Sequence, residues 1–330
     1  MRAYQGAVPG ACVAVIRQEA PIVRRAYGLA DVENRVAATP ATNYRLASIT
    51  KQFTAAAILL LAQDGRLSID DPVRKWLPSL PGAADRIRIR HLLAHTSGLT
   101  DFEELIPHGA SRQLRDADVL ALLEAANRTY FAPGTGFRYS NSGYVLLALI
   151  AARAAGLDYA SFLRERIFQP LDMRATVAFE AGISVVADRA FGYSCAGGAD
   201  SSWMRADQSP TSATLGDGGI YSSIDDLAKW DAALYDDRLL SAASLQLAFS
   251  PATATPDPLV QYGFGWRISG AMLWHSGEST GFRHVILRYP GRRLTVIVLT
   301  NRDDPEPYPL ALAIAEESKE TLSGPYPVHR

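Results

Sequence analysis

Two apolar, β-like runs open the chain, residues 11–17 and 21–27, joined by a polar Gln18-Glu19-Ala20 connection that predicts an antiparallel hairpin. The pattern then changes period. Over residues 48–64 Phe53, Ala56, Ala57, Leu60 and Leu61 recur at helical spacing, Ile58 and Leu59 make the segment apolar nearly all round, and Gly65 ends it. A helix without a polar face belongs in the protein's centre. From Asp70 to about Pro210 helix signals dominate, over residues 114–126, over 143–155 closed by Gly156, and over 159–167 stopped by Pro170. Ser223, with Asp226 three positions on, opens another helix through about Leu234. Strand patterns return over 261–268, 271–274, 284–289 and 294–300, and a helix over about 309–322 follows.

Strands at both ends with helices between predict an α+β fold. An antiparallel sheet is built from N- and C-terminal strands and flanked by helices, and a mostly helical second domain is inserted into it. The expected boundaries are 1–47 with 216–330 for the sheet domain and 48–215 for the helical one. The cleft between them is the default place for a site.

Composition narrows the function classes. The 330 residues include 33 basic and 34 acidic side chains, so no broad cationic field is available for nucleic acid or anionic lipid. The longest apolar stretch, residues 55–62, is far short of the roughly 20 residues that cross a bilayer. With only Cys12 and Cys195, neither a disulfide framework nor a thiolate metal cluster is indicated, and two buried thiols are expected. The first residues lack the apolar core of a leader, which leaves a cytoplasmic place as written and an exported one if a leader has been removed.

Chemistry concentrates in three short motifs. Ser48-Ile49-Thr50-Lys51 starts the central helix, where a spacing of three puts Ser48 and Lys51 on one face and the helix N-terminus favours a developing oxyanion. A lysine desolvated there is disfavoured as an ammonium, and a neutral lysine is a base. Tyr139-Ser140-Asn141 supplies a phenol that can relay a proton and an amide that can orient the lysine and donate to an acyl carbonyl. His275-Ser276-Gly277, read as following an edge strand, offers a small residue where substrate backbone can approach, and the amide of Glu278 can join that of Ser48 as an oxyanion donor.

In this order the three motifs resemble the serine β-lactamase and penicillin-binding protein superfamily, most closely its class C-like branch of β-lactamases, esterases and D-amino-acid peptidases. Supporting stretches include Tyr27-Gly28-Leu29-Ala30-Asp31, the run Leu92-Leu93-Ala94-His95-Thr96-Ser97-Gly98-Leu99, and Tyr262-Gly263-Phe264-Gly265-Trp266. The resemblance implies an acylated Ser48, proton transfer by Lys51 and Tyr139, and substrate or oxyanion contacts from Asn141, His275, Ser276, Gly277 and Glu278. It implies a small ester, amide or β-lactam substrate and no metal or organic cofactor. His275 stands where class C β-lactamases have lysine and is similar to the histidine of the esterases and peptidases, so ester or D-amino-acid peptide hydrolysis is expected above β-lactam hydrolysis. A true class C-type β-lactamase and a non-catalytic penicillin-binding sensor are the alternatives. Arg283 is a candidate carboxylate anchor.

Two other patterns compete. Gly277-Glu278-Ser279-Thr280-Gly281 has the Gly-x-Ser-x-Gly form, but a strand pattern follows it where the nucleophile elbow needs a helix. His91 and His95 are one turn apart, yet Leu92 replaces the glutamate of a zinc peptidase, and packing is the expected role. Specificity is expected to depend on loops 100–113 and 196–214.

Overall fold

A computed structural model describes residues 1–195 and 202–320. In chain order the strands are β1 (Ala11–Arg17), β2 (Ala20–Tyr27), β3 (Leu29–Asp31), β4 (Val36–Ala37), β5 (Tyr44–Arg45), β6 (Val177–Ala178), β7 (Tyr193–Cys195), β8 (Trp203–Arg205) and β9 (Ile220–Ser222). They continue with β10 (Thr253–Ala254), β11 (Gln261–Tyr262), β12 (Arg267–Ser269), β13 (Met272–Ser279), β14 (Phe282–Tyr289) and β15 (Leu294–Thr300). The α-helices are α1 (Thr50–Gln63), α2 (Val73–Trp76), α3 (Ile89–Leu93), α4 (Asp116–Ala126), α5 (Asn141–Ala155), α6 (Tyr159–Leu163), α7 (Ile224–Ala233), α8 (Ala242–Phe249) and α9 (Tyr308–Glu320).

The main sheet has eight antiparallel strands in the order β10-β11-β12-β13-β14-β15-β1-β2, so the first strands of the chain close against the last. Side chains alternate across it as the pleat requires. Cys12, Ala14, Ile16, Ile286, Ile297 and Leu299 face the core that holds α1 and α5, whereas Val13, Val15, Val285, Val296 and Val298 pack under Ala311 and Ala315 of α9. The hairpin turn forms where the sequence predicts, with Gln18 and Glu19 both at positive φ (48° and 66°). Ser223 caps α7 by accepting from the Asp226 amide, and Gly156 closes α5 in the left-handed conformation. Antiparallel sheet, flanking helices and a helical middle agree with the α+β expectation.

Every residue of α1 from Thr50 to Leu61 is buried. Its small residues let α5 pack closely, and Phe53 lies 4.3 Å from the ring of Trp230 on α7 and 5.8 Å from that of Phe168. Among the described residues no single helix is long and apolar enough to cross a membrane.

Four expectations are corrected. The run 261–268 is two short strands, because Gly263 and Gly265 turn the chain between them. A Cβ on Gly265 (φ +78°) would sit 2.8 Å from the Lys51 carbonyl oxygen, so the turn makes room for α1. The strand read as 271–274 runs on to Ser279, and it is not an edge throughout. β12 pairs it only over Met272–Trp274, so residues 275–279 are bonded to β14 alone and form an edge within the sheet. The helix over 159–167 keeps α-geometry only to Leu163 and then widens into a π-turn, Arg164–Phe168. Cys12 is buried and Cys195 is exposed, and the two are not bridged. The end of the predicted last helix, residues 321–322, and the loop segment 196–201 lie outside the described residues.

Candidate active site

Ser48 sits in a 3-10 turn, Ala47–Ile49, that runs directly into α1. Ala47 is held at φ +48°, a left-handed conformation that costs a non-glycine residue on the order of 1 kcal/mol and is kept only where its surroundings fix it. Those surroundings are close. On one side the Leu46 amide donates to the Ile220 carbonyl at 2.8 Å. On the other, β13 presses so tightly that a Cβ on Gly277 would lie 2.2 Å from the Leu46 carbonyl oxygen. The need for a small residue at 277 thus comes from the protein's own backbone; the sequence reading ascribed it to approaching substrate.

Lys51 is fully buried, and its Nζ lies 3.0 Å from Ser48 Oγ, 2.8 Å from Asn141 Oδ1 and 2.9 Å from the Asp217 carbonyl oxygen. A carbonyl and an amide oxygen can only accept, so two N–H bonds are committed to them and the third direction points at Ser48. Asn141 is the first residue of α5, and its Nδ2 donates to Glu103 Oε1 at 2.9 Å. Burial and the nearby Asp101 raise the Glu103 carboxyl above the usual carboxylate range, and burial raises Asp101 in the same way. Asp217 Oδ1 is buried without a hydrogen-bond partner.

Tyr139 has a buried hydroxyl without a partner, and its ring centroid lies 4.9 Å from Lys51 Nζ and 5.6 Å from the Arg267 guanidinium. His95 sets its position. That buried imidazole stacks on the Tyr139 ring at 4.3 Å, while its Nδ1 accepts from the Ser140 amide at 3.0 Å and its carbonyl from the Arg138 amide at 3.0 Å. Burial, with Lys51 nearby, holds His95 well below the usual histidine range, so it is a neutral platform. Sequence reasoning gave His95 only a packing role; its signal was its place in the Leu92–Leu99 run.

His275, on β13, is 1% exposed and does not line the Ser48 cavity. Its Nδ1 lies 2.6 Å from the Ser276 carbonyl, which can only accept, so Nδ1 carries the proton and Nε2 accepts from the Tyr262 hydroxyl at 3.0 Å. Burial and Arg267 hold it well below the usual histidine range. It therefore offers substrate neither a charge nor a free nitrogen, and direct contact gives way to a place beside Tyr139, with ring centroids 6.1 Å apart. Ser276 lies on the half-edge of β13, Gly277 contacts the Leu46 carbonyl, and the exposed Glu278 carboxylate stands 3.8 Å from Arg283. Arg283 also donates to the Ser279 and Phe282 carbonyls and does not line the Ser48 cavity. Ser279 ends β13 just before a turn into another strand, unlike a nucleophile elbow.

A cavity of about 210 Å³ opens over Ser48, lined among others by Glu103, Asn141, Asp217, Arg45, Ser209 and Thr211. Glu278, Ser279 and Thr280 form its rim. Glu103 and Thr211 come from the two loops expected to shape specificity. A larger cavity of about 640 Å³, beside Arg164, Asp172 and Glu180, contains neither Ser48 nor Lys51. Among the described residues no group of three or more His, Cys, Asp or Glu side chains is placed to hold a metal ion.

A family model described as Beta-lactamase matches residues 1–319. The chain is similar to Penicillin-binding protein 4* of Bacillus subtilis, 33% identical over 312 residues, which cover 90% of this chain and 69% of that protein. It is also similar to the D-aminopeptidase of Gluconobacter oxydans, 30% identical over 301 residues, covering 89% of this chain and 56% of the relative. Among solved structures, D-amino acid amidase from Ochrobactrum anthropi SV3, complexed with D-phenylalanine, superposes with a TM-score of 0.79 at 26% identity. That match covers 95% of this chain and 94% of the amidase.

Proposed function

The chain belongs to the beta-lactamase family, and from that premise we propose that it is a serine acyl hydrolase that acts on small esters or amides through an acyl-Ser48 intermediate. The observation that carries the reading is the set of three bonds around Lys51 Nζ. With the Asn141 and Asp217 oxygens taking two N–H bonds, a neutral amine has its lone pair directed at Ser48 Oγ, 3.0 Å away. As Oγ bonds to the substrate carbonyl carbon, the hydroxyl proton passes to Nζ and the carbonyl oxygen becomes an oxyanion. The amides of Ser48 and Glu278 are its proposed donors, Glu278 being on the half of β13 that β12 leaves unpaired.

Collapse of the tetrahedral intermediate breaks the bond to the leaving group, which takes a proton through Tyr139. Water then attacks the acyl carbonyl, gives a proton to the same Lys51–Tyr139 pair, and Ser48 recovers its hydroxyl hydrogen. Asn141 orients Lys51, and His275 acts from beside Tyr139.

The similarity to a D-aminopeptidase and a D-amino acid amidase supports amides and peptides of D-amino acids as substrates, beside simple esters. So does the unpartnered Asp217 Oδ1, an acceptor for a substrate N–H. β-Lactam hydrolysis is expected to be weak or absent, because the neutral His275 supplies no ammonium for a carboxylate. The sheet made from the first and last strands supports domain boundaries at 1–47 with 216–330, and 48–215.

The test is hydrolysis of a short-chain p-nitrophenyl ester by the wild type and Ser48→Ala, with circular dichroism showing both to be folded. Turnover is expected to be lost in the variant, on the order of 10⁴-fold or more. Equal turnover would remove Ser48 as the nucleophile.

A further inference from the structure

Among the described residues two arginines are 2% exposed or less, and they differ in what surrounds them. Arg288 on β14 is bonded to the Asp231 carboxylate of α7, which Thr295 Oγ1 also reaches at 2.8 Å, so its charge is compensated although its Nη1 has no partner. Arg45 on β5 has no carboxylate within salt-bridge distance among the described residues. Its Nη2 donates to the Ser212 carbonyl at 2.7 Å, while Nε and Nη1 are buried without any partner. A desolvated guanidinium with two idle donors is costly unless something anionic joins it.

Arg45 lines the same cavity as Ser48, and no acidic group of that cavity is within salt-bridge distance of it. Glu103 is tied through Asn141 to Lys51, and Glu278 stands by Arg283. Asp217 meets Lys51 through its backbone carbonyl, and its Oδ1 has no partner. Beside Arg45 the wall carries hydroxyls instead, with Ser209 Oγ and Thr211 Oγ1 3.1 Å apart. At Thr280 the cavity passes into a more open recess of about 400 Å³, which suits a departing group. The enclosed part over Ser48 then holds the acyl group.

We propose that Arg45, with the Ser209 and Thr211 hydroxyls, binds a carboxylate carried on the acyl part of the substrate, making Arg45 a specificity-determining residue. This rests on Ser48 being the nucleophile. A guanidinium fork matches a carboxylate through two N–H bonds, and Nε with one Nη provides such a pair. The acyl groups favoured are therefore short ones ending in, or branching to, a carboxylate.

The experiment compares the mono-p-nitrophenyl ester of adipic acid with p-nitrophenyl hexanoate, an ester of the same length without the charge, after subtraction of Ser48→Ala rates. For the wild type kcat/KM is expected to be at least about tenfold higher for the charged ester, mostly through KM, and the ratio is expected to fall toward one in Arg45→Gln. Thr211→Val, a milder change, is expected to lower the ratio in part, and it carries the test if Arg45→Gln does not fold. A wild-type ratio of one or less, or a ratio unchanged in the variants, would overturn the assignment. Should folded wild type cleave neither ester, the anion site is judged by free adipate alone. Adipate is then expected to raise the wild-type melting temperature more than that of either variant, and equal shifts would overturn it.

Discussion

The first turn of α1 and the stretch that follows it, up to Leu61, are equally buried and chemically opposite. At the helix start Lys51 and Thr54 are polar groups without solvent, and their partners come from distant parts of the chain: Asn141, the Asp217 carbonyl, the Gly216 carbonyl and the Tyr159 hydroxyl. Farther along, Ala55 to Leu61 all belong to the main hydrophobic core. Burial alone therefore says little about function. A buried polar group must be bonded to stay, and those bonds fix geometry where apolar contact fixes only volume.

The sharpest way to break this comparison is to remove one side chain from each stretch. Lys51→Met keeps the volume and deletes the base, and turnover is expected to fall roughly 10²- to 10⁴-fold. Ile58→Ala is expected to cost about 2–5 kcal/mol of stability, measured by urea unfolding, while turnover per folded molecule stays near that of the wild type. If Ile58→Ala also cut turnover per folded molecule a hundredfold, the two stretches would not be separable.

A smaller effect tests the clamp around Ser48. Gly277→Ala places a methyl against the Leu46 carbonyl, so β13 or the Ser48 turn has to move by tenths of an ångström to more than one. The expected result is a fall in kcat of up to about 10²-fold on an ester substrate, with substrate affinity less affected. An unchanged kcat would show that the turn does not depend on β13.

The smallest effect concerns the segment that feeds the polar end of α1. Asp116 at the start of α4 accepts from the Leu215 amide at 2.8 Å, and burial pushes its carboxyl up to about 8. The unfolded chain has an ordinary aspartate near 3.9, so between that value and about 8 the folded state holds a proton that the unfolded state has released. Stability from this group is full at acid pH, declines as pH rises through that window, and levels off above it. Asp116→Asn is expected to lose this slope. Melting temperatures from pH 5 to 9 would show the wild type falling relative to the variant, and parallel curves would refute the buried carboxyl as its cause.

What could be read in the sequence was what is local. The Gln18-Glu19 turn, the Ser223 cap and the Gly156 stop are each decided by a few adjacent residues, and Ser48, Lys51 and Asn141 meet as their spacing and motif order suggested. What could not be read depends on neighbours far along the chain. The polar run His275-Ser276-Gly277-Glu278-Ser279 looks like a turn, because a strand bonded on one side and open to a cleft on the other carries no apolar alternation. Glu103 reaches Lys51 only through Asn141, and Asp217 only through its backbone, so neither left a motif. His275 reads as a ligand in sequence and is an interior group, because its partner Tyr262 comes from a strand that the Gly263 turn brings beside it.

The pairing of β1 with β15 joins Ala11 to Thr300, and it sets an order in time. During synthesis the first hairpin and α1 emerge long before the strands that complete their surroundings, and such distant pairings form late. A chain interrupted before residue 272 would already carry Ser48 and Lys51, yet it would lack the β13 backbone that holds the serine turn and offers the Glu278 amide. If Ser48 is the nucleophile proposed above, its acylation is then a report that the strands from residue 272 onward have folded onto the start of the chain.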